Sequence, residues 1–323
     1  MNNCMDKYKN DFAIKFAQLM QKDLPQWIKV QSEERKHLYT SYVKWYLLAF
    51  ALGFMPGKRE TDYMNNLEMH FWLGVVFCIV AIISAIDWAN KEYQNSVKRT
   101  LFPQLLKVFS KDIYYRRGKI PCSVYDSSKL FKYNVSGSGT DDYFNGVYNN
   151  VKFHIDETEL TNIKRLKNGK TESKELFKGV AMQFEIAKNI NARILIYSKS
   201  LLNKAPKGYE KVTLEYEKFN KKYDLYVQNS SATEGQIEAR YLFNTVFLDR
   251  FMQLQTSFRV KKMSCSIYQN NILVLLHTNK DLFEMNHLFG RIDDVTQYRK
   301  LFDEFASVLS FIDILNLSSK TGL

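Results

Sequence analysis

The stretch NGVYNNVKFHI, residues 145–155, predicts a β-hairpin and sets the fold class of the region around it. Val, Tyr, Phe and Ile recur on both sides of Asn149-Asn150, and residues of these types favour strands. An asparagine pair between two strands suits a tight turn. We therefore expect two paired strands that meet at Asn149-Asn150.

Three further segments are short, rich in β-branched and aromatic residues, and partly alternating, which predicts strands. They are CSVYDSS (122–128), FKGVAMQFEI (177–186) and ARILIYSK (192–199). Polar stretches between the strands predict connections: SGSGTDD (136–142), RLKNGKTESK (165–174) and KAPKGYEK (204–211). The charge run of the second connection is that of a solvated hairpin tip.

Helices and strands alternate in the C-terminal third. Residues 212–227, VTLEYEKFNKKYDLYV, predict a strand, one or two turns of helix, and a second strand. Asn244 is expected to cap a helix that begins at Thr245 and ends near Gln255. Beyond it the sequence predicts a hairpin over residues 262–278, turning at Asn270-Asn271, and an amphipathic helix over residues 294–317.

Two apolar segments nearer the N-terminus predict a transmembrane helical hairpin. FWLGVVFCIVAIISAI (71–86) carries no charge, and with its aromatic flanks it gives a span over residues 70–88. Residues 42–56 give a shorter span, whose Lys44 can extend to the interface. The alternative for the longer segment is a buried core helix. Cys78 lies within the predicted span and is interpreted as a packing residue. Basic residues before the first span and after the second span place both termini in the cytoplasm.

The expected fold class is α+β, with an N-terminal helical region and a two-helix transmembrane hairpin followed by a cytoplasmic mixed sheet and helix domain. The domains are a cytoplasmic helical segment (1–41), the hairpin (42–88), a helical connector (89–117) and the α+β domain (118–323). Residues 91–323 carry +11 of the net charge of +12. Attraction to an anionic membrane leaflet explains that charge. Nucleic acid is the less favoured partner because its binding motifs are absent.

No metal or cofactor signature is found in the sequence. The four cysteines form no CxxC pair, which suits a reducing compartment, and the five histidines are scattered. His154 has two interpretations, a general base or an exposed histidine on a strand. The Ser-Gly-Ser-Gly at residues 136–139 lacks the spacing of a phosphate loop and is interpreted as a flexible linker.

Three blocks carry a family resemblance: LEYEKFNKKYDLYV (214–227), QIEARYLFNTVFLDRF (236–251) and ILVLLHTNKDLFE (272–284). With Phe177-Lys178-Gly179 as an FxG element, the chain resembles bacterial two-span membrane proteins of domain of unknown function family 3137. The resemblance implies a location in the cell inner membrane, and it implies no activity. Gly235 stands where the family usually has Asp, and Asn244-Thr245 stands where it usually has Thr-Pro.

Glu238, Arg240 and Tyr241 raise the question of a catalytic constellation. No nucleophile, base or metal ligand accompanies them in the same block. The favoured interpretation is structural: Arg240 satisfies carboxylates or carbonyls near a helix start, with Glu215 or Asp224 as partners. A third interpretation is that Arg240 binds an anionic ligand or lipid headgroup.

These observations favour a membrane-anchored adaptor or assembly factor that binds a protein partner. The alternative is a membrane-bound enzyme or sensor that acts on an anionic lipid or small anion. The missing catalytic signature favours the binding function over the enzyme.

Overall fold

The computed structural model describes residues 3–53, 64–166, 168–199, 201, 205–228, 237, 240, 242–284 and 295–320. The helices are α1 (Asn3–Gly53), α2 (Met64–Lys107), α3 (Cys122–Ser128), α4 (Glu217–Lys222), α5 (Thr245–Ser257) and α6 (Val295–Lys320). The strands are β1 (Ile113–Tyr115), β2 (Gly137–Tyr148), β3 (Val151–Arg165), β4 (Thr171–Ser198), β5 (Tyr209–Val212), β6 (Tyr223–Gln228) and β7 (Lys262–His277). The chain divides into two compact units. The first comprises Met1–Phe16, Pro103–Phe283 and Arg299–Leu323, and the second comprises Ala17–Phe102 and Glu284–Tyr298.

The β2–β3 hairpin forms as predicted. Tyr148 pairs with Val151, and the two residues between them, Asn149 and Asn150, have φ angles of 46° and 63°. Asparagine accepts this left-handed conformation more readily than most residues. The turn residues therefore fix the register of these two strands.

The seven strands form one antiparallel sheet, in which β4 is central. Residues 179–185 of β4 pair with residues 271–277 of β7, and residues 190–197 pair with residues 264–269. Ser264 Oγ lies 3.1 Å from His277 Nε2, whereas thirteen extended steps would separate these residues by roughly 43 Å. β7 therefore doubles back, beside Gln269 with its φ of 52°. The hairpin predicted over residues 262–278 is present. Its two arms, residues 264–269 and 271–277, lie between the two arms of β4, residues 179–185 and 190–197.

The FxG element is placed where β3, β4 and β7 meet. Gly179 pairs with Thr158 on β3 and with His277 on β7. Its φ is 141°, a region that residues with a Cβ rarely occupy. Phe177, two residues earlier, is buried. The glycine is thus required by the backbone, and the phenylalanine by the core.

Both faces of the sheet are covered. On one face, aromatic rings of the sheet meet α5, as in the pair Tyr223–Phe251, and α6, as in the pairs Phe184–Phe311 and Phe144–Phe305. On the other face, the segment around α3 covers a second core. Its members are Ile120, Tyr125, Val135, Tyr143, Leu160, Phe177, Ala181, Leu273 and Leu275. Double coverage explains why the central strands do not alternate cleanly between apolar and polar residues.

The two C-terminal helices agree with the sequence prediction. The Asn244 side chain caps α5 by accepting a 2.9 Å hydrogen bond from the Phe247 N–H. Leu301, Phe305, Leu309 and Ile312 of α6 are all buried, as their spacing predicts.

Three local predictions are wrong. Residues 122–128 form α3 rather than a strand; Pro121 precedes the helix and Lys129 ends it in the left-handed conformation. Burial of Tyr125 against the sheet outweighs the local strand preference. Residues 137–142 belong to β2 rather than to a linker, because residues 137–140 pair with β3. β5 (Tyr209–Val212) lies mostly within the stretch 204–211 that was predicted as a connection, and the strand predicted to begin at residue 212 does not continue beyond Val212.

The second unit contains antiparallel contacts between α1 and α2. Ser96 Oγ donates a 2.8 Å hydrogen bond to the Glu34 carboxylate, and the Arg35 guanidinium lies over the Tyr93 ring. Buried Lys98 forms a 2.6 Å ion pair with Glu284. Together with the contact between the Tyr42 and Trp88 rings, the Ser96 and Tyr93 contacts hold the two helices side by side over residues 34–42 and 88–96.

The transmembrane hairpin predicted over residues 42–88 is wrong. Within the part of the chain that the structure describes, no helix combines the length and apolar character needed to cross a membrane. The uncharged stretch 71–86 rises only roughly 24 Å as a helix, so the predicted span over residues 70–88 approached the ~30 Å of a bilayer core only by including its polar flanks, His70 and Asp87. The stretch between Lys44 and Lys58 is shorter still.

Candidate functional site

The residues around Arg240 do not form a described cluster. Arg240 is exposed and helical, whereas Glu238 and Tyr241 lie outside the described residues. Glu215 is also exposed. Asp224, half-buried on β6, lies 2.7 Å from the ammonium of Lys211, and this contact raises the pKa of Lys211. The Asp224 carboxylate is therefore engaged by Lys211. A role for Arg240 in anchoring the helix or in binding an anion stays a prediction.

Asp156 is the first of two buried acids on β3 that the sequence reasoning missed. Its Oδ2 accepts a 2.8 Å hydrogen bond from the Ile120 N–H and a 3.4 Å one from the Tyr125 hydroxyl. Burial raises the pKa of Asp156 to about 6, although these hydrogen bonds act to lower it. Asp156 thus ties the segment before α3 to the sheet.

Glu157, the second acid, points to the opposite face of β3. Its Oε1 accepts a 2.7 Å hydrogen bond from the Leu282 N–H. Burial raises the pKa of Glu157 to about 9, and the nearby carboxylates of Asp141, Asp142 and Asp281 also raise it. Glu157 is therefore protonated at neutral pH, and it fixes the chain after β7 against β3.

Two histidines make side-chain contacts that resemble catalytic pairs. The Tyr143 hydroxyl lies 2.5 Å from His154 Nδ1. Burial and the nearby Lys152 lower the pKa of His154. Within the described residues, the hydrogen-bond partner of this histidine is Tyr143 and not a serine, threonine or cysteine. His154 is half-buried. It is therefore less accessible than the exposed strand histidine that one sequence interpretation expected, and its role as a general base stays a prediction.

Ser264 and His277 form the second pair, at 3.1 Å. Ser264 is only 2% exposed, and the Phe177 ring packs edge-on against His277. Burial lowers the pKa of His277 to about 4, so the ring is neutral at pH 7. A substrate cannot reach this serine, and the pair instead holds together the two arms of β7.

An exposed apolar stripe on α2 is the feature most suited to binding. Val76, Ile79, Val80 and Ile83 have exposed fractions of 55%, 50%, 55% and 54%. Their spacing of three and four residues places them on one side of the helix. The side chain of Cys78, within the same segment, lies outside the described part of the chain.

The sequence gives a partial signal for each of these features. Asp156 and Glu157 are adjacent acids in a strand whose neighbours include Phe153, Ile155 and Leu160, a pattern consistent with burial on both faces. The α2 stripe lies within the apolar segment that predicted a membrane span. Its hydrophobicity was visible, but its exposure along one side of a helix was not.

Comparison with known proteins gives a family match and no function. Residues 175–317 match the model of a family described as Protein of unknown function (DUF3137). The match covers a little under half of the chain and includes the FxG element and all three blocks of the resemblance, which it supports. It does not bear on bacterial origin or on membrane spans. No curated protein matches the chain.

One similarity to a solved structure accompanies the family match. It is to the crystal structure of the mycobacterial trehalose monomycolate transport factor A, TtfA, at 11% identity and a TM-score of 0.32. The alignment covers 63% of this chain and 91% of that chain. At this TM-score the likeness supports no argument about fold or function.

Proposed function

We propose that the chain is a protein-binding adaptor or assembly factor whose helix α2 docks against an apolar helix of a partner protein. The observation that supports this is the stripe formed by Val76, Ile79, Val80 and Ile83, each about half exposed. Protein surfaces in contact with water seldom present a contiguous row of aliphatic side chains, and such rows mark interaction sites.

The spacing of the stripe favours a helical partner. Residues at i, i+3, i+4 and i+7 form the narrow seam that packs against one other helix. The contacts with α1 use a different side of α2, through Trp88, Tyr93 and Ser96. At 3.6 residues per turn, that side and the stripe lie roughly 150° apart around the helix. The seam with α1 therefore leaves the stripe open to a second helix.

The buried polar groups of the first unit also favour binding over catalysis. Asp156 and Glu157 accept hydrogen bonds from backbone N–H groups, and Ser264 is closed off from solvent. These groups are used to join segments of the fold. A catalytic site would require an accessible nucleophile or base.

The test is affinity purification of the tagged full-length chain with quantitative mass spectrometry. The double variant Ile79→Gln/Ile83→Gln removes two apolar side chains from the stripe and keeps good helix formers. Each aliphatic side chain buried at an interface contributes about 1.5–3 kcal/mol, so the variant is expected to recover at least about tenfold less of a near-stoichiometric partner.

Lys91→Gln/Glu92→Gln is the matched control, because both residues are exposed on the same helix and net charge is kept. The control should recover the partner as the unmodified chain does. Equal recovery by all three chains would remove the stripe from the proposal. A second copy of the chain as the sole partner would replace adaptor function with self-association.

A further inference from the structure

The tip of the β3–β4 hairpin extends beyond the rest of the sheet. β2 pairs with β3 only as far as Thr161, and the pairing of β4 with β7 begins at Gly179. Within the described residues, the stretch 162–174 forms ladder pairs only with itself, and Glu175 pairs with Thr161 at its base. At about 3.4 Å per residue it projects roughly 15 Å past Thr161. We name residues 162–175 the finger.

The end of the finger is a well-formed turn. The Leu166 N–H donates a 2.8 Å hydrogen bond to the Lys170 carbonyl, and the Gly169 N–H donates a 3.0 Å one to the Leu166 carbonyl. Gly169 has a φ of 78°, which glycine adopts without steric cost. These hydrogen bonds join Leu166 to Gly169 and Lys170 across the turn.

Lysines from three parts of the chain meet at Tyr133, beside the finger. The ammonium groups of Lys164 and Lys174 each lie 4.7 Å from the centre of the Tyr133 ring, and that of Lys132 lies 5.7 Å away. All three lysines are exposed. Within the described residues none of them forms an ion pair with a carboxylate. The ring holds three like charges close together, which an anionic ligand would relieve.

The finger as a whole is basic. Five basic and two acidic residues give it a net charge of +3. Of the two acids, Glu172 lies opposite Lys164 in register, and Glu175 lies opposite Thr161.

An aliphatic side chain is exposed at the tip, close to these charges. Leu166 is 43% exposed and lies at the turn itself, whereas Ile163, 46% exposed, lies on the other face of the hairpin from Lys164. A surface that joins lysines to an exposed aliphatic side chain suits a lipid interface, where phosphate groups overlie an apolar layer.

We infer that the finger and the lysines around Tyr133 bind the phosphate groups of an anionic lipid surface, with Leu166 at the turn contacting the apolar layer beneath. This binding site lies in the first unit and is independent of the stripe on α2. Nucleic acid is the less suited occupant, because lysines already lie over the Tyr133 ring, where a base would have to stack.

The test is co-sedimentation of the full-length chain with vesicles of phosphatidylcholine alone or with about a third phosphatidylglycerol. The expected result is binding to the anionic vesicles at least tenfold tighter than to the neutral ones, weakened strongly by added salt. Equal binding to both vesicles would overturn the inference. So would full competition by inorganic phosphate, since a single-phosphate pocket would then explain the affinity.

The triple variant Lys132→Gln/Lys164→Gln/Lys174→Gln should lose at least tenfold in affinity for anionic vesicles. The matched control Lys207→Gln/Lys218→Gln/Lys222→Gln removes the same charge from exposed positions elsewhere in the first unit and should bind nearly as the unmodified chain does. Equal losses in both variants would show a general charge effect and overturn the site.

A third variant, Leu166→Asn, tests the apolar contact and should weaken vesicle binding severalfold without changing binding to a 20-nucleotide DNA. Unchanged vesicle binding by this variant would contradict a lipid surface as the occupant. Binding to DNA that depends on the three lysines, without binding to vesicles, would also contradict it.

Discussion

Gly179 lies so close to Leu276 that a Cβ added to the glycine would meet the Leu276 carbonyl oxygen at 2.0 Å. The backbone of Gly179 also has a φ of 141°. This contact is at the point where the central strand pairs with β3 on one side and with β7 on the other. The glycine of the FxG element therefore lets three strands approach.

Gly179→Ala should destabilise the first unit by about 2–4 kcal/mol, because the methyl group is excluded by both the φ angle and the neighbouring backbone. Gly139→Ala is the control, since a Cβ at Gly139 meets no atom within 4 Å. Chemical denaturation of both variants measures the difference. A change below 1 kcal/mol in Gly179→Ala would contradict the packing described.

The free energy of unfolding should fall as pH rises from 7 to 9. The folded-state pKa of Glu157, about 9, lies above its ordinary value of 4.5. Its contribution is therefore complete below about pH 4.5 and is lost as pH rises towards 9. The slope from this residue is at most about 1.4 kcal/mol per pH unit. The pKa values of Asp156 and Glu304 are raised to about 6 and about 7. Their contributions to the free energy of unfolding are therefore mostly lost at lower pH than that of Glu157.

Glu157→Gln keeps an oxygen to accept the Leu282 N–H and removes the titrating proton. Its unfolding free energy should vary less between pH 7 and 9 than that of the unmodified chain. Glu159→Gln is the control, because Glu159 is exposed and its 3.5 Å ion pair with Lys178 is solvated. Identical pH profiles for the Glu157 variant and the unmodified chain would show that Glu157 is ionised in the fold.

Asn244→Ala should cost about 1 kcal/mol of stability, because the N–H of Phe247 loses its side-chain acceptor at the start of α5. Asn244→Ser supplies another acceptor and should lie within about 0.5 kcal/mol of the unmodified chain. Thermal unfolding of the two variants gives the comparison. Equal effects would mean that the cap contributes little to α5.

Arg240→Ala should change stability by less than about 0.5 kcal/mol, since Arg240 is exposed. Differential scanning calorimetry of this variant beside Arg240→Lys measures the effect. A loss above 2 kcal/mol would support an anchoring role near the helix start. A small loss would leave anion binding as the proposal for this residue.

Short-range signals in the sequence predicted several elements correctly. Asn149-Asn150 specified a turn by their tolerance of positive φ, and Asn244 specified the start of α5 through its own side chain. In each case the determining interaction lies within four residues along the chain.

The features that sequence reasoning missed depend on contacts between distant residues. α3 is helical because Tyr125 packs on a sheet whose strands lie far along the chain, and Asp156 and Glu157 are buried because both faces of β3 are covered. The predicted spans failed for a different reason. The longer predicted span, residues 70–88, reaches membrane length only by adding polar flanks to the sixteen uncharged residues 71–86.

Docking through α2 is tested most directly by site-specific photocrosslinking in cells, with p-benzoylphenylalanine in place of Ile79 and, as the control, in place of exposed Lys91. Helix docking predicts one discrete adduct between the chain and a different protein from position 79, and none from position 91. The absence of an adduct from position 79, or the same adducts from both positions, would contradict it.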